Sequence, residues 1–89
     1  MSEIEVKIVN QLGLHARAAA RLVHLANRFS SLITVSKGNS KVDGKSILGL
    51  LTLAASKGTR LTLTATGDDE KEALAELSTL IGDRFGEDQ

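Results

Sequence analysis

The chain has 89 residues, 42% of them hydrophobic and 2% aromatic, with 11 Lys/Arg against 11 Asp/Glu and no cysteine or proline. That length predicts one domain over residues 1–89, with one core and no deep cleft between lobes, which excludes large multi-domain enzymes. Without cysteine, disulfide frameworks, thiolate catalysis, iron–sulfur clusters and most structural zinc sites drop out, and no apolar run approaches the ~20 residues of a membrane span. Met1 to Val6 is acidic and alternating, unlike a signal peptide, so a soluble cytoplasmic protein is expected.

In chain order, Glu3 to Val9 alternates with Ile4, Val6 and Ile8 on one side, which predicts a half-buried strand. Gly13 breaks the chain, and Ala16 to Asn27 reads as a helix with an apolar stripe of Ala16, Ala19, Ala20, Val23 and Ala26, widened by Leu22. Leu32 to Ser36 is a second strand with Ile33 and Val35 inward. Lys37-Gly38-Asn39-Ser40 then turns into a short third strand around Val42. Ser46 is placed to N-cap a short helix from Ile47 to about Leu53. Arg60 to Thr66 sets Leu61, Leu63 and Ala65 against three threonines, a fourth strand. Asp69, with Glu72 three residues on, suggests a capping box for a last helix carrying Ala73, Leu74, Leu77, Leu80 and Ile81, with Gly82 weakening its final turn.

The order is β-α-β-β-α-β-α. Period-two alternation in each strand implies a sheet with one wet face and the helices on the other, an α+β open-faced sandwich. The first β-α-β is expected to be split, with another strand between its two parallel ones. Periodicity leaves the strand order open.

Chemistry concentrates in Gly13-Leu14-His15-Ala16-Arg17. His15 stands where a loop becomes a helix, beside first-turn amides that lack intrahelical partners and at the positive end of the helix dipole, a natural anion site. Arg17 offers a planar fork suited to phosphoryl oxygens. On these residues alone, a phosphate-handling histidine competes with an exposed capping histidine. His24, the other histidine, has neither Cys nor HxxxH spacing, so no metal is expected. Arg17, Arg21, His24 and Arg28 form one helical stripe: either the solvated side of an amphipathic helix or a docking surface for an acidic partner. Charge is polarised along the chain, with nine Lys/Arg against three Asp/Glu through Arg60 and two against eight thereafter. The short helix is too apolar for its length, so some of Ile47, Leu48, Leu50, Leu51 and Leu53 stay exposed as an interface or pack under loops.

Gly13-Leu14-His15-Ala16-Arg17, followed by Ala18-Ala19, resembles the active-site motif of the histidine-containing phosphocarrier (HPr) family of the bacterial phosphotransferase system. Gly44-Lys45-Ser46-Ile47-Leu48-Gly49-Leu50 resembles its regulatory-serine segment at the expected separation, and Ala54-Ala55-Ser56-Lys57-Gly58-Thr59 is a third match. The resemblance implies a four-stranded antiparallel sheet of order 1-4-2-3 with three helices on one face. It implies a phosphoryl carrier rather than an enzyme, with no bound cofactor or metal. His15 would take a phosphoryl group on Nδ1 from phospho-Enzyme I, itself charged by phosphoenolpyruvate, and pass it to an Enzyme IIA domain. Arg17 would neutralise phosphoryl charge, and Ser46 would be the target of an ATP-dependent HPr kinase/phosphorylase in lineages possessing one. Arg21 and His24, with Ile47, Leu48 and Leu51 as the exposed apolar set, would form the partner interface of a monomer.

Three positions depart from the commonest family pattern: Ala18 where many members carry proline, Leu12 where a small polar residue is frequent, and Asp43 three residues before Ser46. Leu12 removes a possible hydrogen bond near His15, and Asp43 would oppose a phosphoserine. The alternative function is a non-catalytic HPr-like regulatory or interaction module, including nitrogen-branch regulation. His15 paired with Arg17 favours the carrier. An RNA-binding split β-α-β module fails because Phe29 and Phe85 supply no aromatic pair on a strand, so no nucleic-acid partner is expected, nor insertion into a membrane. The same histidine motif serves sugar and nitrogen-regulatory branches, so the sequence assigns neither.

Overall fold

Alternation along the strands becomes a sheet with one apolar face. The computed structural model describes residues 1–89 as β1 (Ser2–Lys7), α1 (Ala16–Ala26), β2 (Leu32–Lys37), β3 (Ser40–Asp43), α2 (Ile47–Thr52), β4 (Arg60–Thr66) and α3 (Glu70–Gly82), then a short turn, Arg84–Gly86. β4 pairs antiparallel with both β1 and β2, and β3 adds antiparallel to β2, giving the order β1-β4-β2-β3. β1 and β2 are therefore parallel with β4 between them, the expected split unit. β3-α2-β4 is a second one, with β2 between its parallel strands.

The register lines up Ile4, Leu63, Val35 and Val42 across the four strands. Leu63 and Val35 are fully buried, while Ile4 and Val42 on the edge strands are half-buried against the same cluster. Thr64 and Thr34 lie across the opposite face with Glu3 at its edge. α3 packs on β1 and β4 and against α1, which packs in turn against α2.

α1 is rotated relative to the stripe expected from its alanines. Ala18, Ala19, Leu22, Val23 and Ala26 are buried, whereas Ala16 is exposed and Ala20 half-buried. A methyl group removes little area from water, so the branched side chains of Leu22 and Val23 set the rotation and the alanines follow. The capping box is also absent: Asp69 is the N-cap of α3 but makes no side-chain bond to its own helix. Its carboxylate instead accepts the Ser30 amide at 2.9 Å, the Ser31 amide at 3.1 Å and the Ser31 hydroxyl. The Ser31 hydroxyl first, then the Ser30 amide, holds the Asp69 carboxyl below the usual carboxylate range. The residue read as a local cap thus ties the start of α3 to the α1–β2 connection. A Cβ on Gly67 would meet Ser31 Oγ at 2.6 Å, so this tie needs glycine there.

Glu70 closes the same corner. Its carboxylate accepts the Ser2 hydroxyl and the Gly67 amide, the latter at 3.2 Å, and lies 3.2 Å from the Met1 amine. Those donors, the Ser2 hydroxyl foremost, hold the Glu70 carboxyl down at about 2 against an ordinary 4.5. A depressed folded-state value gives stability that is present above the unfolded value and lost as pH falls through the folded one. The melting-temperature gap between wild type and Glu70→Gln is therefore expected to be full above about pH 5 and to close towards about pH 2. Thermal melts across that window check this; a gap independent of pH would remove the carboxylate from the account.

Candidate functional site

The loop before α1 is built to present one ring. Gly13 has φ +70°, and a Cβ there would sit 2.5 Å from the Ala55 carbonyl. That close approach lets the Leu14 amide bond the same carbonyl at 2.8 Å, while the Leu14 side chain is buried in the core. His15 follows as the N-cap of α1, with extended backbone (φ −80°, ψ 178°) and a carbonyl accepting the Ala19 amide at 2.8 Å. Its ring makes no capping bond and keeps 26% of its surface exposed. The first-turn amides of α1 are thus left for an outside anion.

A polar chain behind the ring escaped the sequence reading. Fully buried Asn10 donates from Nδ2 to the Gly13 carbonyl at 2.8 Å and to Glu87 Oε1 at 2.9 Å. Glu87 Oε2 lies 2.6 Å from His15 Nε2 and 3.6 Å from an Arg17 guanidinium nitrogen. Asn10 foremost, then His15 and Arg17, hold the Glu87 carboxyl below its usual range against desolvation. Glu87 gets there because the chain after α3 turns back on itself: Arg84, Phe85 and Gly86 take φ of +57°, +54° and +78°. Two consecutive non-glycine residues in the left-handed region cost roughly 1–2 kcal/mol each. Burial of Phe85 offsets that cost, and the Arg21 guanidinium donates to the Phe85 carbonyl. The legible signal was Phe85 itself, a lone aromatic in a polar tail just ahead of Gly86-Glu87.

The other expected site residues fall on two neighbouring helices. Arg17, Ala20, Arg21, His24, Leu25 and Leu80 line a shallow groove, so Arg17, Arg21 and His24 do share a face. Arg21 holds the tail as well as facing solvent. On α2, Ser46 caps the helix, its Oγ accepting the Gly49 amide at 3.0 Å. Ile47 and Leu48 are exposed at 39% and 78%, but Leu51 is half-buried against the core, which corrects the exposed set. Leu50 and Leu53 occupy the inner face and draw the adjacent Leu51 partly under. Asp43 Oδ1 accepts the Lys45 amide at 2.9 Å, so a backbone donor already engages this carboxylate near Ser46. Leu12 is exposed, and the ring contact comes from Glu87 in the C-terminal tail.

Comparisons with known proteins agree with this layout. The family model described as the PTS HPr component phosphorylation site matches residues 2–83. The phosphocarrier protein HPr of Cupriavidus necator is 47% identical over 87 residues, covering 98% of each chain. A crystal structure of HPr from Thermoanaerobacter tengcongensis superposes with a TM-score of 0.95 at 48% identity, covering 100% of both chains. The HPr-like protein Crh of Bacillus subtilis is 46% identical over 81 residues, covering 91% of this chain and 95% of its own.

Gly13→Ala tests how the loop is held. A left-handed φ costs an L-residue about 1–2 kcal/mol before any clash, so urea denaturation should show a loss at least that large. Wild-type stability in this variant would mean that the loop relaxes away from Ala55.

Proposed function

The chain belongs to the HPr family of the phosphotransferase system, and on that premise we propose that His15 is the residue that bears its phosphoryl group. HPr is a phosphocarrier, phosphorylated on histidine, and not an enzyme in its own right. The observation that carries the assignment is the half-exposed His15 ring at the open start of α1, with Arg17 beside it and the ring unused in capping. His24 lies exposed two turns further along, away from the first-turn amides. A phosphoryl group on His15 places its oxygens against the helix start and within reach of the Arg17 fork.

Family membership implies Enzyme I as donor and Enzyme IIA domains as acceptors. The docking face in this reading is α1 with α2: Arg17, Arg21 and His24 supply positive charge, and Ile47, Leu48 and part of Leu51 supply apolar contact. Ser46 is the regulatory site, modified by an HPr kinase/phosphorylase where one is present. A phosphate there keeps an acceptor for the Gly49 amide, so its effect falls on the partner that meets Ile47 and Leu48. The protein acts as a cytoplasmic monomer in this reading, and no helix is long and apolar enough to cross a membrane.

Incubation with phosphoenolpyruvate and a cognate Enzyme I is expected to add one acid-labile, base-stable phosphoryl group by intact mass. His15→Ala is expected to add none, and an acid-labile adduct on that variant would overturn the assignment. The same assay separates a carrier from a purely regulatory module, which would accept nothing.

Arg17→Lys keeps the charge but loses the fork, so transfer should slow by about 1–3 kcal/mol of barrier with the fold unchanged. Full wild-type rates in Arg17→Ala would reduce Arg17 to a surface cation. Ser46→Asp is expected to slow the Enzyme I reaction while circular dichroism stays as in wild type. Equal rates in wild type, Ser46→Ala and Ser46→Asp would leave Ser46 as a helix cap alone.

A further inference from the structure

We infer that Glu87, held in place by Asn10, is a positioning residue for phosphoryl transfer: it keeps the proton of the neutral His15 ring on Nε2 and thereby leaves Nδ1 as the nucleophile. The inference rests on His15 being the phosphoryl acceptor. An ionised carboxylate has only acceptors, so a 2.6 Å contact between Glu87 Oε2 and His15 Nε2 requires the proton to sit on that nitrogen. A neutral imidazole has one proton, and the other nitrogen then carries the lone pair. Asn10 makes this arrangement specific. Its buried Nδ2 bonds both the Gly13 carbonyl, in the loop that carries His15, and Glu87 Oε1. Ring and carboxylate are thus located from one fixed amide.

Tethering the tail does not need Glu87. Phe85 is buried, Arg21 holds its carbonyl, and the Gln11 amide bonds the Gln89 carbonyl at 3.0 Å. The Glu87 carboxylate adds contacts to Asn10, His15 and Arg17 only, which are the acceptor and its immediate supports. The charged groups around it are Arg17 and Arg21 from α1 and Asp88 from the tail, and on the far side of the loop Lys57 reaches Gln11 at 3.4 Å. Donors from Asn10, His15 and Arg17 favour the ionised form of Glu87, which only accepts hydrogen bonds.

The transfer step then balances simply. The Nδ1 lone pair forms the bond to phosphorus while the bond from phosphorus to the donor breaks, the donor keeping that electron pair. The Nε2 proton stays in place, so the phosphorylated ring is an imidazolium, and Glu87 faces the new positive charge. Transfer onward reverses these changes and returns the neutral ring with its proton still on Nε2. A carboxylate that fixes a histidine tautomer and then stabilises the cation is a recurrent catalytic arrangement.

The test uses the full-length, ¹⁵N-labelled protein. Long-range ¹H–¹⁵N spectra of the neutral His15 ring are expected to show the Nε2–H form dominant in wild type. Glu87→Ala should move the ring towards a mixture of tautomers and slow acceptance from phospho-Enzyme I by about ten-fold, the scale of one charge-assisted hydrogen bond. Glu87→Gln has one acceptor oxygen where the carboxylate has two, so with Asn10 Nδ2 holding that oxygen its amide nitrogen faces Nε2 and the ring should shift towards the Nδ1–H form. Circular dichroism and melting curves confirm that each variant keeps the wild-type fold. Wild-type tautomer populations in folded Glu87→Ala would overturn the inference, whatever the transfer rate. A wild-type protein that takes no phosphoryl group on His15 overturns the carrier assignment instead, and it does so independently of the tautomer measurement.

Discussion

β4 is hydrogen-bonded along both edges, to β1 and to β2, and that double pairing dictates where the helices and the site can go. Because β4 separates β1 from β2, the chain leaving β1 must cross the apolar face as α1 before it can re-enter the sheet. The segment leading into β4 lies against the end of β1: the Ile8 amide bonds the Thr59 carbonyl at 2.9 Å, and the Gly58 amide bonds the Ile8 carbonyl at 2.7 Å. The Leu14 amide on the Ala55 carbonyl continues this seam. The loop bearing His15 is therefore sewn to the connection between α2 and β4, and it takes its position from the sheet.

The elements that were legible in the sequence are those whose cause is local. All four strands were readable from alternation, because burial on one face imposes period two directly. The Ser46 cap was readable because its partner, Gly49, is three residues away. His15 and Arg17 stood out as candidates because five consecutive residues at a loop-to-helix junction bring a ring and a guanidinium to the open start of a helix. What was misread or missed depends on distant partners. Asp69 looks like a cap in sequence but finds its donors 38 and 39 residues back. Glu87 meets His15 across 72 residues, and Asn10 meets Glu87 across 77. No spacing rule reaches that far. α1 was misplaced in rotation for a different reason: a stripe rich in alanine is degenerate, and its orientation was decided by two larger side chains.

The proposed site is a surface patch backed by rigid parts, which would suit a phosphoryl group passed between partners. A deep pocket would protect the phosphoryl group but would demand a matching probe from each acceptor. Here the ring is partly exposed, whereas the groups beneath it are buried. Leu14 is in the core, Asn10 is fully buried, and only 9% of the Glu87 side chain meets solvent. Precision comes from beneath, and access is left open above.

The reversed turn at Arg84–Gly86 also makes the protein its own reporter. There is no tryptophan or tyrosine in the chain, and Phe29 and Phe85 are its only aromatic residues. Phe29 sits in the core next to the end of α1, whereas Phe85 is the anchor of the tail that carries Glu87. Fluorinated phenylalanine would therefore give two resonances, one sensitive to global unfolding and one to release of the tail alone. Motions that open the site without melting the sheet would become separately visible, as local openings of low free energy distinct from the global transition.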